Sequence, residues 1–512
     1  MKPFDASGAF RVAIEGNEVR QRGVQSAGVS VLSQALAFGI QLAATVVLAR
    51  LLSPNDFGLV TMVTTASLLL TSFGLSGFTE AIVQREKIND SIISNLFWIV
   101  VGGGFLLTIG FAATGSLLAR FYGNQGIQSV AVAMSITIFL TSISVIHLAL
   151  LRRAMHYSAV SANVLVGRAV SVVVAILLAW AGWGLWALVA GAVAQPLTQS
   201  IGAWTLCQWI PSRPRRVAGT GSMVKFGLSI YAKYCLHYFG RNMDNVLVGR
   251  SFGARSLGFY KKAYDIFVLP ANQLNGPLWH VAVSSLSRFK PNSVEYRRYF
   301  LGTLSVLAFA GMGVGADITL VAKDLIRFLL GPQWDEAGRI FVFFGPGIGV
   351  MLLYGTHGWI HVTIGRVDRW IRWGIVEFVA TGLMLLLALR WGPVGMAIAW
   401  TASYWILVIP AFWYAGRPIH LGIAPVVSAV WKYAVASLVA SFASIGVIRE
   451  IPRFIVLAHP AGLLVRIMST SFWFTAFYLG AVILLHGGFE PLQQVSALLQ
   501  EMAPWSRFKI PD

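Results

Sequence analysis

The sequence alternates between long apolar runs and short polar segments over most of its length. An α-helix needs about 20 apolar residues to cross the hydrocarbon core of a bilayer, and most of these runs reach that length. We interpret the runs as fourteen membrane helices joined by short loops. The predicted helices lie at 24–49, 58–82, 92–115, 127–151, 158–181, 184–207, 226–250, 262–287, 299–322, 338–362, 370–390, 393–415, 426–448 and 463–486.

Three sequence similarities recur in the same order at a period near 200 residues. The segment RLLSPNDFG from Arg50 matches RSFGARSLG from Arg250, LLARFYGNQG at 117–126 matches LIRFLLGPQW at 325–334, and WGLWALVAG at 183–191 matches WGPVGMAIAW at 391–400. The repeat predicts two homologous six-helix lobes in one orientation, followed by a C-terminal helix pair. The predicted divisions are an N-terminal segment at 1–23, an N-lobe at 24–218, a C-lobe at 219–416, two further helices at 417–488 and a tail at 489–512.

The predicted helix at 226–250 carries a polar stripe. Lys233, His237, Arg241 and Asp244 follow one another at intervals of four, four and three residues. On a helix that turns ~100° per residue they share an arc of about 80°. A Lys or Arg at the bilayer centre costs about 2.5–3.5 kcal/mol, so we expect these side chains to line a wet cavity or to meet partners inside a bundle. Arg241 and Asp244 are spaced to pair, which leaves the stripe net cationic.

The alternative is that these charges lie at helix ends and extend into interfacial water. That reading suits Lys225 and Arg250, but Lys233 and Arg241 are well inside the predicted span. Other ionisable residues within predicted helices are more typical of helix ends or interhelical contacts; they are Glu80, Arg168, Asp265, Asp317 and Glu377. His357 and His361 have a metal-like spacing, but the sequence offers no third ligand nearby. Proline and glycine in the helix at 262–287 predict a bend or break there, at Pro270 and at Gly276-Pro277.

Composition defines the class of protein. Hydrophobic residues make up 56% of the chain and charged residues 12%, and the mean hydropathy is +0.70, which indicates an integral membrane protein. The net charge of +19 concentrates in the terminal segments and the even-numbered loops. This distribution predicts cytoplasmic termini rather than nucleic-acid binding. The loop with Arg255, Lys261 and Lys262 departs from the rule, and the amphipathic segment at 490–509 predicts an interfacial helix.

No catalytic motif is found in the sequence. It has no phosphate-binding P-loop, no Asp-x-Asp motif and no His-Glu-x-x-His motif. A membrane polymerase or ligase would need a large external loop or an acidic metal-binding cluster, and the predicted loops are short. We therefore expect a transporter that uses no cofactor and no metal.

Four segments resemble a known family. They are ARLLSPNDFGLV at 49–60, FWIVV at 97–101, DNVLVGRSFGARSLGFYKKAYDIFVLPANQLNGPL at 244–278 and SLSRF at 285–289. These segments are similar to the Wzx-type polysaccharide flippases of the MOP superfamily, which also contains the MATE drug antiporters and the lipid II flippases. The pair Ser284-Ser285 departs from the family pattern, in which a Phe-Pro-like pair is expected.

The resemblance implies two six-helix lobes that alternate access between the two sides of the bacterial inner membrane. The implied substrate is an oligosaccharide linked to undecaprenyl pyrophosphate, and the implied partners are membrane lipids and the polysaccharide polymerase machinery. Because a pyrophosphate needs cationic groups on its path, we expect Lys233 and Arg241 to contact it, with Arg50, Arg168 and Arg250 as further candidates. Candidates for ion coupling are His237, Asp244 and Asp265. The alternatives are a MATE-like exporter of cationic drugs, which would favour cavity carboxylates, and a polysaccharide polymerase or ligase.

Overall fold

The fold is described from a computed structural model of the 512-residue chain. The described residues are 3–5, 7–11, 17–75, 77–85, 87–215, 217, 219–450, 460–490 and 493. Within them, side chains are described except at 17–32, 34, 236, 237, 270–277, 280, 448–450 and 460.

The described chain is almost entirely α-helical. In chain order the helices are α1 (Asn17–Leu51), α2 (Pro54–Leu75), α3 (Phe78–Gln84), α4 (Asp90–Ala113), α5 (Gly115–Tyr122), α6 (Gly126–Arg153), α7 (Tyr157–Trp180), α8 (Leu185–Leu206), α9 (Thr220–Leu286), α10 (Val294–Leu330), α11 (Asp335–Phe344), α12 (Gly347–Gly355), α13 (His357–Thr363), α14 (Val367–Ala388), α15 (Gly392–Gly416), α16 (Ile423–Glu450) and α17 (Pro460–His486).

The predicted all-α membrane fold is confirmed. Most predicted ranges lie within helices of the structure, whereas the range 58–82 is divided between α2 and α3. Two predicted helices are joined in α9, and the range 338–362 is divided among α11, α12 and α13. Among the described residues, eight helices are long and apolar enough to cross a membrane, or nine if the bent pair Pro332–Phe344 and Gly347–Thr363 forms one span. The number of fourteen spans therefore stays a prediction. The predicted helix at 490–509 lies outside the described residues except at positions 490 and 493.

The long helix α9 is interrupted at Gly253. Its φ of 77° and ψ of 178° lie outside the helical region, in a conformation that only glycine adopts readily. The sequence instead suggested a break at 270–277, where the backbone continues as helix. Proline is tolerated in membrane helices because neighbouring groups can satisfy the backbone that it leaves unpaired.

The chain divides into two compact units, Met1–Gly258 and Phe259–Asp512. In the first unit α6 packs against α2, α4 and α8, and α7 packs against α1 and α8. In the second unit α10 packs against α11, α12, α16 and α17. The predicted division between lobes at 218/219 stays a prediction, and the division into compact units falls one helix later, because the first half of α9 packs on α2.

The C-terminal helix pair packs on α10 through polar contacts. The Ser471 hydroxyl donates to Asp317 Oδ2 at 3.0 Å, and the Tyr478 hydroxyl donates to the Phe309 carbonyl at 2.7 Å. Arg466 forms an ion pair with Asp324. Asp317, a candidate from the sequence, therefore fastens α17 to α10.

Two glycines of the repeat make a reciprocal contact between α2 and α9. A Cβ atom on Gly58 would lie 1.7 Å from the carbonyl oxygen of Ala254, and a Cβ on Gly258 would lie 1.9 Å from the carbonyl oxygen of Pro54. The pairs 54 and 254, and 58 and 258, differ by the same repeat offset. Each copy of the motif thus supplies one glycine and one carbonyl, as two copies related by a local two-fold axis would do. This contact supports the predicted repeat.

We predict that Gly58→Ala and Gly258→Ala each destabilise the protein. The added methyl group would meet backbone, which cannot move aside as a side chain can, and such overpacking typically costs about 1–3 kcal/mol. The measurement is the thermal unfolding temperature of the purified protein in detergent, together with its abundance in membranes.

The matched control is Gly110→Ala in α4, where an added Cβ meets nothing within 4 Å. Alanine favours helix over glycine by about 1 kcal/mol, so this variant should be neutral or slightly more stable. Equal stability of the Gly58→Ala, Gly258→Ala and Gly110→Ala variants would contradict the close backbone contact.

Candidate functional site

The first half of α9 packs along α2 through three tyrosines. The hydroxyl of Tyr231 donates to the Leu69 carbonyl at 3.0 Å, and that of Tyr238 donates to the Thr65 carbonyl at 2.8 Å. Between them, the Tyr234 hydroxyl accepts a 2.9 Å hydrogen bond from Ser72 Oγ. The three side chains lie on one face because they are spaced by three and four residues.

Close glycine contacts continue this packing in both directions. At one end, a Cβ on Gly77 would lie 2.1 Å from the Gly227 carbonyl oxygen. At the other end lies the reciprocal contact of Gly58 and Gly258. Residue numbers rise along α9 while those of the contacted residues in α2 and its flanking turn fall. Residues 227–258 and 54–77 therefore form one antiparallel contact, which we call the α2–α9 seam.

The polar stripe lies beside the tyrosine face of α9. Lys233 and Arg241 are exposed in the structure. The side chain of His237 lies outside the described part of the chain. Asp244 is only 1% exposed, so the stripe is divided into an open cationic part and a buried acidic end.

The buried end of the stripe is a small polar cluster. Asp244 Oδ1 accepts a 2.8 Å hydrogen bond from the backbone N–H of Asn245, which is 3% exposed. The Asn245 amide donates to Asn242 Oδ1 at 3.3 Å, and the Asn242 amide donates to the Tyr238 carbonyl at 3.0 Å. The Asp244 carboxylate therefore does not face the open surface.

The open part of the stripe has a geometry suited to an anionic group. Lys233 and Arg241 are eight residues apart, which is about 12 Å along a helix axis and about 80° around it. Both side chains are long, so a small anion between them, near the level of position 237, is within reach of both. Ammonium and guanidinium groups bind phosphate oxygens through charge-assisted hydrogen bonds.

The remaining predicted cations lie elsewhere in the first unit. Arg250 is exposed, with its guanidinium carbon 5.6 Å from the centre of the Phe121 ring. It follows Arg241 by nine residues, which places it about half a turn away from the stripe. Arg168 is half-buried in α7 and donates to the Ala37 carbonyl of α1 at 3.4 Å. Arg50 is exposed in the last turn of α1.

Two predicted acidic candidates have structural contacts. Glu80 accepts a 2.6 Å hydrogen bond from the backbone N–H of Gly77 and so caps the start of α3. Asp265, in the second unit, forms an ion pair with Lys261 one turn earlier on α9. Among the described residues, no group of three or more His, Cys, Asp or Glu side chains could hold a metal ion.

Sequence reasoning missed the tyrosines of the seam. Tyr231, Tyr234 and Tyr238 follow a spacing of three and four residues, the same signal that marks the cationic stripe. Aromatic side chains at this spacing are common on membrane helices, and their hydroxyl partners lie on another helix more than 160 residues away. Only the fold reveals that they bind α2.

Comparison with known proteins places these features in a family. The sequence profile described as "Polysaccharide biosynthesis protein" matches residues 47–339, which is more than half of the chain. Among curated relatives, the teichuronic acid biosynthesis protein TuaB of Bacillus subtilis is 24% identical, over 70% of this chain and 74% of its own. The lipopolysaccharide biosynthesis protein WzxC of Escherichia coli is 21% identical, over 62% of this chain and 65% of its own length. The succinoglycan biosynthesis transport protein ExoT of Rhizobium meliloti is 20% identical, over 77% of this chain and 78% of its own length.

Solved structures share the fold. The lipid II flippase MurJ, in an inward closed conformation, aligns with a TM-score of 0.70 at 14% identity, over 89% of this chain and 98% of its own. An inward-facing MATE multidrug transporter of the MOP superfamily aligns with a TM-score of 0.57 at 13% identity, over 76% of this chain and 98% of its own. The predicted resemblance to Wzx-type polysaccharide biosynthesis proteins is confirmed, and the fold is that of these two solved transporters.

We predict that the stripe faces water rather than lipid. In a variant without the native Cys207 and Cys235, Arg241→Cys should react rapidly with a hydrophilic maleimide, because a thiol ionises only where water reaches it. Phe239→Cys is the matched control, since Phe239 is 54% exposed but lies about 160° around the helix from Arg241. Labelling of both variants at the same rate would contradict a separate aqueous face. The measurement is the labelling rate in intact membranes.

Proposed function

Because the chain belongs to the polysaccharide biosynthesis protein family, we propose that it flips a lipid-linked oligosaccharide repeat unit from one leaflet of the membrane to the other. The observation that carries this proposal is the pair of exposed cations, Lys233 and Arg241, on one face of α9. Such residues are costly in a membrane segment unless they serve a transport path.

The names of the relatives support the class of cargo. They refer to teichuronic acid, lipopolysaccharide and succinoglycan biosynthesis, and one is named a transport protein. The MurJ structure, which shares the fold, is titled a lipid II flippase. We propose that the carrier of this protein's substrate is undecaprenyl pyrophosphate and that the product serves exopolysaccharide or lipopolysaccharide synthesis.

In the proposed mechanism the cations carry the charged part of the substrate. A pyrophosphate cannot enter hydrocarbon unless its negative charge is compensated, so Lys233 and Arg241 would replace part of its hydration during passage. The Arg241 guanidinium can bind two phosphate oxygens at once, whereas the Lys233 ammonium acts as a point charge. The lipid chains would remain in the bilayer while the headgroup moves, and alternating access would open the path to each side in turn.

The remaining elements of the proposal concern orientation, coupling and partners. We place the protein in the inner membrane with both termini in the cytoplasm, because Lys and Arg concentrate on that side. His237, Asp244 and Asp265 stay candidates for ion coupling, and Arg50, Arg168 and Arg250 stay candidates for contact with the substrate. A polysaccharide polymerase would receive the flipped unit.

Two alternatives fit the observations less well. A MATE-like exporter shares the fold, but cationic drugs would favour carboxylates on the open face, where this chain has Lys233 and Arg241. A polymerase or ligase would need a catalytic constellation, and the described residues contain no large extramembrane domain that could hold one.

We predict that cells lacking this protein retain the lipid-linked repeat unit on the cytoplasmic leaflet while the sugar-assembling enzymes remain active. The measurement is the accessibility of the labelled lipid-linked sugar to an impermeant reagent in spheroplasts and in inverted vesicles. A unit that is exposed to the periplasm but remains unpolymerised would favour the polymerase instead.

We further predict that Lys233→Ala and Arg241→Ala each slow flipping by roughly 10- to 100-fold at normal membrane abundance. The lost charge-assisted contact is worth about 1.5–3 kcal/mol, and each ~1.4 kcal/mol is a factor of ten in rate. The measurement is the rate at which the labelled unit appears on the outer leaflet.

The control variants separate charge from structure. Lys225→Ala removes an exposed cation near the start of the same helix and should leave the flipping rate unchanged. Lys233→Arg and Arg241→Lys keep the positive charge and should retain much of the wild-type flipping rate. Arg241→Lys should retain less of it, because an ammonium cannot bind two phosphate oxygens at once as a guanidinium does. Normal flipping by both alanine variants would show that the stripe does not contact the substrate.

A further inference from the structure

An open cleft lies where the linker between α8 and α9 crosses the start of α4. Its volume is about 630 Å³, which is in the range of sites that bind small molecules. None of its lining residues belongs to the cationic stripe. They come from α4, the linker and the first residue of α9, and they are Asn95, Trp98, Ile99, Pro214, Arg215, Val217 and Thr220.

Hydrogen bonds fix the linker against α4. The buried Asn95 side chain donates through Nδ2 to the Arg215 carbonyl at 2.5 Å, and its Oδ1 accepts from the Arg215 backbone N–H at 2.9 Å. The Ser212 backbone N–H donates to Ser94 Oγ at 3.0 Å, and the Ser212 carbonyl accepts from Trp98 Nε1 at 2.9 Å. These bonds hold the linker by its backbone, so the Arg215 side chain remains available to line the cleft.

The polar wall of the cleft is cationic. Arg213 and Arg215 are exposed, and neither forms an ion pair with another described residue. Asp90 supplies a carboxylate to the linker, but its oxygens accept from neutral donors, Trp209 Nε1 at 2.7 Å and Ser212 Oγ at 2.9 Å. An anion in the cleft would therefore meet two arginines that are not already paired with a carboxylate.

The other wall belongs to the exposed side of α4. Trp98 and Ile99 are 45% and 40% exposed, on a helix that is long and apolar enough to cross a membrane. Phe105 and Leu106 follow them by seven residues, which is about two helical turns, and are also exposed. Gly102 lies between the two pairs, and an added Cβ there would meet nothing within 4 Å. The cleft thus continues along an apolar face with an open notch, and lipid chains are the cover that a membrane provides for such a face.

The linker marks the edge of the bilayer. Residues 208–215 form neither helix nor strand, and irregular backbone that faces lipid does not occur within the hydrocarbon core. Ile210 is 83% exposed in this segment, and Trp98 combines an exposed ring with an indole N–H that is bonded to the linker. A tryptophan with one apolar and one polar side is typical of the membrane interface. The cleft therefore lies at the level of the lipid headgroups.

We propose that this cleft binds one phospholipid with an anionic headgroup. The phosphate lies against the guanidinium groups of Arg213 and Arg215, and one acyl chain follows the exposed face of α4 past Trp98 and Gly102. Guanidinium groups bind phosphate oxygens in pairs, and cations at this level attract anionic lipids. A zwitterionic lipid has the same phosphate, but its ammonium group is repelled by both arginines. The site concerns a lipid that stays in its leaflet, so it does not rest on the proposed flippase function.

Binding is tested by native mass spectrometry of the full-length protein, after its lipids have been removed in detergent. Phosphatidylglycerol should bind more tightly than phosphatidylcholine with the same chains. Arg213→Ala/Arg215→Ala should weaken the binding of phosphatidylglycerol by roughly 10- to 30-fold, because two cations next to an anionic lipid are lost. The bonds from Asn95 to the backbone at position 215 do not involve the removed side chain, so this variant should fold.

Two further variants separate charge at the cleft from charge in general. Arg213→Lys/Arg215→Lys keeps both cations and should retain most of the binding. The matched control is Arg288→Ala/Lys290→Ala, which removes two exposed cations of the same spacing from the turn after α9. It should bind phosphatidylglycerol as the wild-type protein does.

Several results would overturn the site. They are equal binding of phosphatidylglycerol by the wild-type protein and the alanine double variant, or equal binding of the anionic and zwitterionic lipids by the wild-type protein. Inorganic phosphate that displaces phosphatidylglycerol completely would show that the cleft recognises phosphate without a lipid. Tighter binding of undecaprenyl pyrophosphate than of phosphatidylglycerol, lost in the double variant, would assign the cleft to the substrate instead. If the double variant does not fold, Arg213→Ala and Arg215→Ala alone must each weaken binding, and unchanged binding by both would likewise exclude the lipid.

Discussion

The close approach of α2 and the first half of α9 is the constraint on which the candidate site depends. Lipid is as apolar as leucine, so membrane helices gain little from burying apolar surface against each other, and small residues and hydrogen bonds hold them together instead. The α2–α9 seam uses both, with glycines against carbonyl oxygens at its ends and tyrosine hydroxyls in its middle. Because this contact fixes the rotation of α9, Lys233 and Arg241 remain open beside it while Asp244 is enclosed.

The two units handle charge in different ways. In the first unit, the cations Lys233 and Arg241 lie on an exposed helix face. The oxygens of an anion can replace the water molecules that hydrate such groups. In the second unit, the titratable side chains of His357 and His361 are buried among aromatic rings. Exposed cations suit a large charged substrate that must enter and leave.

The sequence was informative wherever a local pattern has a direct physical cause. Apolar runs predicted the helices. The spacing of Lys233 and Arg241 places them on one face, and both are exposed, while their contact with a substrate stays a prediction. The burial of Asp244 was not predictable, since it depends on which helices surround the end of the stripe. The interruption of α9 was expected at its prolines and lies at Gly253. A proline in a membrane helix is tolerated, whereas the positive φ and extended ψ of Gly253 form a conformation that only glycine adopts readily.

The reciprocal glycine contact bears on how a chain of this kind arose. Gly58 approaches the backbone at Ala254, and Gly258 approaches the backbone at Pro54, so the two halves of the contact are copies of each other. In a half-length ancestor that paired with itself, one glycine and one carbonyl would have sufficed for both. Duplication and fusion of such an ancestor would join two partners that already fitted, and would free each copy to diverge everywhere except at this contact. A cationic stripe on the second copy is the kind of asymmetry that such freedom permits.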